Sequence, residues 1–484
     1  MSRFLLNSFV RAYCTGGRNG KKPPIKLPKP GHYKSPWGVI KKELEGKVDL
    51  EHGYPVESDI TIIGGGIVGS AVAYFLKQRS PEGYTVTVIE KDTKYTQCST
   101  VLSVGGIRQQ FSIPENIQMS MFGADFLRNI KQHLSVFDMD PPDVQFNPQG
   151  YLFLATKAGA DCLEKNYKLQ REMGAAVEFM SAEQLKGKWP WLNTDDIEAG
   201  TYGIENEGWF DPWCLLTSFK RKAQSLGVKY IQGEVTGFEF LSDREHVVGG
   251  KIEEKKVLRY VNVLSPENEI HPISTAFVIN AAGHSAGKIA ELAGIGTGEG
   301  IFQLPLPVEA RKRFVYSWHA PKGPGLSTPM VIDPTGVYFR KEGLGGHFIG
   351  SSSPKVPIPE TPQSSEEEPP TDTLDVDYEF FNNDIWPILA HRVKGFEEIK
   401  VKSAWAGYYD YNYMDENLII GSHPYFTNFL FCNGSSGHGL QHAPAIGRAV
   451  MELIYDGDYQ SIDLSCFRFD RFIDNKPMFE TNIV

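Results

Sequence analysis

The residues with the most chemical content fall in two glycine clusters far apart in the chain. Gly64, Gly66 and Gly69 have the spacing G-x-G-x-x-G. In such a turn the first glycine allows the tight bend, the second lets backbone approach a pyrophosphate, and the third lets the next helix pack close to the strand before it. Glu90 lies 21 residues beyond Gly69, where an acid can accept hydrogen bonds from an adenosine ribose and disfavours a 2′-phosphate. These residues ask for a dinucleotide and leave NAD and FAD both open.

The elements around them fit. Asp59 to Ile63 is a short β-branched run entering the turn, Ala71 to Leu76 is an apolar helical stretch leaving it, and Thr85 to Ile89 is a second strand ending at Glu90. The second cluster, Gly434, Gly437, His438 and Gly439, follows the apolar strand Phe429 to Cys432 and precedes a helical pattern from Leu440 to Tyr455 closed by Gly457. A helix start carries roughly half an elementary positive charge. A second one suits an electron-rich group such as the pyrimidine edge of an isoalloxazine, which points to FAD; a plain βα turn is the other reading of that segment alone. His438 fits proton transfer beside a flavin and a structural hydrogen bond equally well. No Ser-His-Asp arrangement or metal-ligand spacing competes, so no metal site is expected.

Composition narrows the class. The 484 residues are 41% hydrophobic and 22% charged, those of a globular chain with two to four domain-sized units, and no apolar run is long enough to span a bilayer. The six cysteines are scattered, as expected of small buried hydrophobes rather than a disulfide framework. Net charge is −10, but the first 42 residues hold ten Lys or Arg and no acid, leaving the remainder at −20. That excess of acid argues against nucleic-acid binding. The leader, with Phe4, Leu5, Phe9 and Val10 among Arg3, Arg11 and Arg18, has the amphipathic, acid-free pattern of a mitochondrial targeting segment, with cleavage expected near Tyr13.

With both turns in place, residues 58 to 465 resemble the FAD-dependent amine-oxidising family that includes D-amino-acid oxidase, glycine oxidase, sarcosine oxidase and dimethylglycine dehydrogenase. Ser99 to Ile107, with Gly105 and Gly106, resembles the segment that passes near the flavin. Ile279 to Gly283 resembles the third FAD-contacting strand and turn, Trp405 to Pro424 the penultimate strand, and Gly434 to Gly439 the final flavin turn. Leu102 to Ser112, Glu207 to Leu216 and Trp405 to Tyr411 are more similar still to a mitochondrial branch of the family that acts in assembly of respiratory complex I.

The resemblance implies an α/β fold. A Rossmann-like FAD-binding domain would be assembled from 57–135, 200–300 and 402–465, and an α+β substrate domain with a mixed sheet from 140–199 and 301–401. Residues 1–56 would be the targeting segment and flexible leader, 351–373 a mobile insertion, and 466–484 a tail. It implies non-covalent FAD, because the positions where relatives attach flavin through His or Cys are Ser103 and Gly407 here. Where sarcosine oxidases place an oxygen-activating Lys, the stretch Gly345 to Gly350 offers Phe348. Cys432, near the flavin turn, is expected in the core.

A substrate carboxylate needs a fixed cation, for which Arg340, Arg311, Arg313 and Arg108 are available. Tyr409 and Tyr411 would share the pocket face of their strand, with Tyr408 opposite. The expected catalytic set is His438, Arg340 and Tyr409. Two functions follow from the resemblance: complex I assembly through contact with its subunits or intermediates, in the matrix and peripheral to the inner membrane, or matrix dehydrogenation or oxidation of a secondary or tertiary amino acid of the sarcosine or dimethylglycine type.

Overall fold

A computed structural model describes residues 53–248, 251–352 and 368–481. The amphipathic leader therefore lies outside the described residues up to residue 52, as does the expected mobile insertion over 353–367. The described flanks of that insertion are held: Ser351 and Ser352 end a strand, and the segment from Glu368 is pinned to its neighbours by side chains.

The described residues build two eight-stranded sheets and one of two strands. The first begins with β1 (Glu57–Ile63), whose alternating Ile and Thr are buried on both faces as a central parallel strand requires. The helix α1 (Ile67–Arg79) returns over it to β2 (Val86–Glu90). The helix α2 (Pro114–Arg128) follows, then, much later, β3 (Ile270–Asn280) and β4 (Phe429–Asn433), before α3 (Gly439–Tyr455). β2, β1, β3 and β4 are parallel neighbours. Their register puts Ile89, Ile63, Asn280 and Phe431 in one row, so all four strands end together. Open parallel sheets bind ligands outside this edge. A long antiparallel hairpin, Glu234–Val248 with Lys251–Leu264, extends the sheet from β3 and includes the charged stretch Lys251 to Lys256.

Helices α1 and α3 cross so closely that a Cβ on Gly447 would lie 2.7 Å from the carbonyl carbon of Ala71. That contact brings both helix starts, at Gly66 and His438, to the same edge of the sheet.

The second sheet is mixed and carries its own core around Trp318, Phe339, Phe348 and Phe396. It corrects the sequence boundaries in two places. Ala199–Gly203 pairs with Tyr151–Ala155, and Lys400–Asn412 pairs along its length with Val308–His319, so residues 200–203 and 402–412 belong to this sheet and not to the nucleotide sheet. The cause is long-range pairing: Val308 opposes Asn412 across a hundred residues of chain. Among the described residues no helix is long and apolar enough to cross a membrane, and no cluster of His, Cys, Asp or Glu could hold a metal.

Candidate active site

A cavity of about 950 Å³ runs from the carboxyl edge of the first sheet to the face of the second. Its floor is the β1–α1 turn. Gly64 has φ +102°, open to glycine but strained for other residues, and its missing Cβ would sit 2.3 Å from the Ala281 carbonyl. Gly69 lies behind the floor, where a Cβ would meet the Gly64 carbonyl at 2.0 Å; its task is helix packing. Gly66 faces the cavity. A Cβ there would find nothing closer than Cys98 and Thr100 side chains at 3.6 Å, so the turn holds space that a ligand could use.

Glu90 borders this floor. Its Oε2 accepts the Gly65 N–H at 2.7 Å and its Oε1 the Asp92 N–H at 2.8 Å. Burial raises its pKa, opposed by those two donors. Each carboxylate oxygen keeps a lone pair for a ribose hydroxyl. Ser99 and Gly106 also line the cavity, and Thr100 Oγ1 accepts the Ile67 N–H at 3.2 Å. Gly105 stands behind, its missing Cβ 2.1 Å from the Phe210 carbonyl. Gly283 lines the cavity with no neighbour within 4 Å of a Cβ position.

The far wall is the turn before α3. Gly437, His438 and Gly439 line it, while Gly434 is buried behind. Ser435 N–H donates to Asp410 Oδ2 at 3.0 Å, and burial lifts the Asp410 carboxyl to about 6. Tyr409 presses its ring onto Gly437, where a Cβ would be 2.6 Å away. Tyr408 lies on the opposite face of its strand, yet it too borders the cavity, its hydroxyl donating to the Thr371 carbonyl and its ring against His284. Cys432 is buried with its thiol on the Asn280 carbonyl, and burial pushes its pKa up, as befits a core residue.

The cation of the site is Arg108, not Arg340. Arg108 is 7% exposed, lines the cavity, and lies over the rings of Phe111 and Phe153, 4.7 and 5.0 Å from their centroids. Its Nη2 donates to His438 Nε2 at 3.1 Å, and its Nε is buried without a partner. Its backbone N–H is fixed by Gln441 Oε1 at 2.7 Å. An arginine only donates, so Nε2 of His438 must be unprotonated. Burial, the Arg108 charge and His442 all drive the His438 pKa well below 6.5. His438 thus orients Arg108, and the expected proton-transfer role gives way to that hydrogen bond.

Arg340 is committed elsewhere. Its Nε and Nη2 donate to the Val104 carbonyl at 3.1 and 2.9 Å, and Nη1 donates to the Lys341 carbonyl and Glu342. It braces the Val104 segment from behind the cavity wall. Phe348 is likewise misplaced by the sequence reading: it is fully buried in the second sheet's core, and Tyr338, Met330 and Ile332 line the cavity instead.

Two buried groups were missed. Glu207 accepts the Gln109 N–H and the Gln110 amide, both at 2.8 Å, and burial raises its pKa to about 7. His442 meets Ser120 Oγ at 2.9 Å, and burial lowers its pKa to about 3. The signal for His442 was its place one turn beyond His438 on the same helical face; nothing local marks Glu207.

Comparison with known proteins agrees with this geometry. The family model for FAD dependent oxidoreductases matches residues 59–453. FAD-dependent oxidoreductase domain-containing protein 1 of Bos taurus is 52% identical over 429 residues, covering 88% of this chain and 86% of that protein. Mitochondrial sarcosine dehydrogenase of Mus musculus is 23% identical over 488 residues, covering 95% of this chain and 48% of that protein. The crystal structure of L-proline dehydrogenase from P. horikoshii superposes with a TM-score of 0.69 at 26% identity, covering 88% of this chain and all of that one. Two helix starts, a buried acid and a glycine-lined floor meet on one cavity, and the match over 59–453 shows that the chain belongs to the FAD-dependent oxidoreductase family, with FAD as its cofactor.

Proposed function

We propose that the protein oxidises the C–N bond of a small secondary or tertiary amino acid whose carboxylate is gripped by Arg108. The observation that carries this reading is a buried guanidinium facing the cavity with no ion-pair partner among the described residues. Burying a charge unpaired is costly, and a site that does so is built for a counter-ion. With Nη2 held by His438 and Nε closed off by its neighbours, Nη1 keeps its donors for a carboxylate, and the Phe111 and Phe153 rings lie against the guanidinium.

The Gly64–Gly69 turn, Glu90 and the turn before α3 would hold FAD, which would supply a two-electron acceptor for hydride from a carbon bonded to the substrate nitrogen. The chain's own part is positioning. Burial raises the pKa values of the Tyr409 and Tyr338 phenols, which keeps both protonated, so they can donate hydrogen bonds inside the cavity. L-proline and sarcosine, for which two relatives are named, are both secondary amino acids, which supports the substrate class. The test is anaerobic addition of proline and of pyrrolidine, and of sarcosine and dimethylamine, to the purified holoprotein. Only the carboxylated member of each pair should bleach the flavin band; bleaching by both members would remove Arg108 from the account.

A second reading is assembly of respiratory complex I by contact with its subunits or intermediates, at the matrix face of the inner mitochondrial membrane. The acid-free amphipathic leader and the resemblance of Leu102 to Ser112, Glu207 to Leu216 and Trp405 to Tyr411 to that branch support it. Restoring Arg108→Ala to cells that lack the protein separates the two. Recovery of complex I by this variant favours assembly independent of turnover, and failure with normal protein levels ties assembly to the site.

A further inference from the structure

Arg311 and Arg313 are two residues apart on the strand Val308–His319 and so share one face, while Lys312 between them points away to the Thr373 carbonyl. Both arginines line the cavity, and both close on a single carboxylate. Glu368 accepts from Arg311 Nη1 at 3.1 Å and from Arg313 Nη1 and Nη2 at 2.7 and 3.3 Å. The three side chains are only 12%, 13% and 19% exposed. Tyr411 lies 3.5 Å from the Arg311 guanidinium, and Tyr409 lies 5.6 Å from that of Arg313.

We propose that Arg311 and Arg313 form a second anion site on this cavity, held by Glu368 as an internal stand-in, which takes the distal carboxylate of a substrate carrying two. The inference rests on the reading of Arg108 as the first carboxylate site. Tyr409 lies between the strand of the arginine pair and the cavity, its ring 5.6 Å from the Arg313 guanidinium, and it lines the same cavity as Arg108. Glu368 is not part of the sheet that carries the arginines. It belongs to a strap anchored farther along by the Thr371 carbonyl on Tyr408 and the Thr373 carbonyl on Lys312, contacts that survive its departure.

Charge favours exchange of like for like. Among the described residues Glu368 is the carboxylate paired with Arg313, so losing it takes the counter-charge from that guanidinium in a largely buried place, and another carboxylate restores the balance. A tethered carboxylate competes at millimolar effective concentration. The intact protein therefore discounts dicarboxylates, and removing the tethered group should reveal them.

The experiment is calorimetric titration of the FAD-loaded full chain with glutarate and with butyrate. Glu368→Ala should tighten glutarate about tenfold relative to butyrate. Adding Arg313→Ala should return glutarate to the butyrate level, and Arg313→Lys, which keeps the charge, should keep part of the gain. No change in the glutarate-to-butyrate ratio in a folded Glu368→Ala protein overturns the proposal. Arg108→Ala in the same background reads the first site separately. If it leaves butyrate binding intact, the substrate reading fails, while a glutarate gain that Arg313→Ala abolishes still assigns the arginine pair.

Discussion

Arg108 Nη2 and His438 Nε2 lie 3.1 Å apart, joining the segment after the Gly105–Gly106 turn to the start of α3. The pair links the two motifs that the nucleotide fold leaves hundreds of residues apart, and it sets which edge of the guanidinium faces the cavity. His438 acts as a positioning residue for that edge. His438→Ala should raise KM for a carboxylated substrate about tenfold, the cost of a hydrogen bond to a charged group, with a smaller effect on kcat. His438→Gln, which keeps an acceptor, should recover part of the loss. Steady-state kinetics on the folded variants decides it, and equal loss in kcat for both variants contradicts a positioning role.

The two glycines of the first turn should respond differently. At Gly66 a side chain has room in the protein but fills ligand space, so Gly66→Val should fold and lose flavin. At Gly69 a Cβ collides with the Gly64 carbonyl at 2.0 Å, so Gly69→Val should lose stability itself. Flavin content and thermal melting of the two proteins separate these outcomes. A fully yellow Gly66→Val protein contradicts the placement of the pyrophosphate.

That turn was legible because its chemistry is local: strand, glycines, helix and acid lie within some thirty residues. The α3 turn was legible for the same reason. Arg340 was favoured because it sits on a recognisable strand, yet its guanidinium is spent on the Val104 carbonyl, a contact across more than two hundred residues. Lys400–Asn412 was assigned to the wrong sheet because its partner strand begins at Val308, and alternation along a strand does not say which sheet it joins. Arg108 appeared as one candidate among four; its priority comes from burial and an unpartnered Nε, which only the packed structure provides.

Glu90 should contribute to cofactor affinity. Glu90→Ala removes the acceptor offered to the ribose and also frees the Gly65 N–H. Loss of about 1 to 3 kcal/mol of FAD affinity is expected, read by flavin fluorescence on dilution. Unchanged affinity removes Glu90 from the site.

Acid should weaken the fold through His442. Unfolded, this residue gains a proton near pH 6.5; folded, it stays neutral down to about 3. Between those values the unfolded chain holds the extra proton, so stability falls as pH falls, by up to about 1.4 kcal/mol per pH unit. Glu207, with its carboxyl raised to about 7, acts in the opposite sense, because below that pH the folded state holds the proton first. Urea midpoints at pH 7 and pH 5 should therefore show His442→Gln losing less stability on acidification than the parent protein. An identical acid slope would show that His442 does not titrate differently in the two states.

Arg108 is tested most directly by anaerobic mixing of the holoprotein with N-methylated amino acids and proline, comparing the parent chain with Arg108→Gln. The account predicts that at least one carboxylated amine bleaches the parent flavin in a saturable way, and that Arg108→Gln, still folded and yellow, needs about tenfold to a hundredfold more substrate, as loss of a charged hydrogen bond implies. Equal reduction of both proteins by the same amine contradicts it.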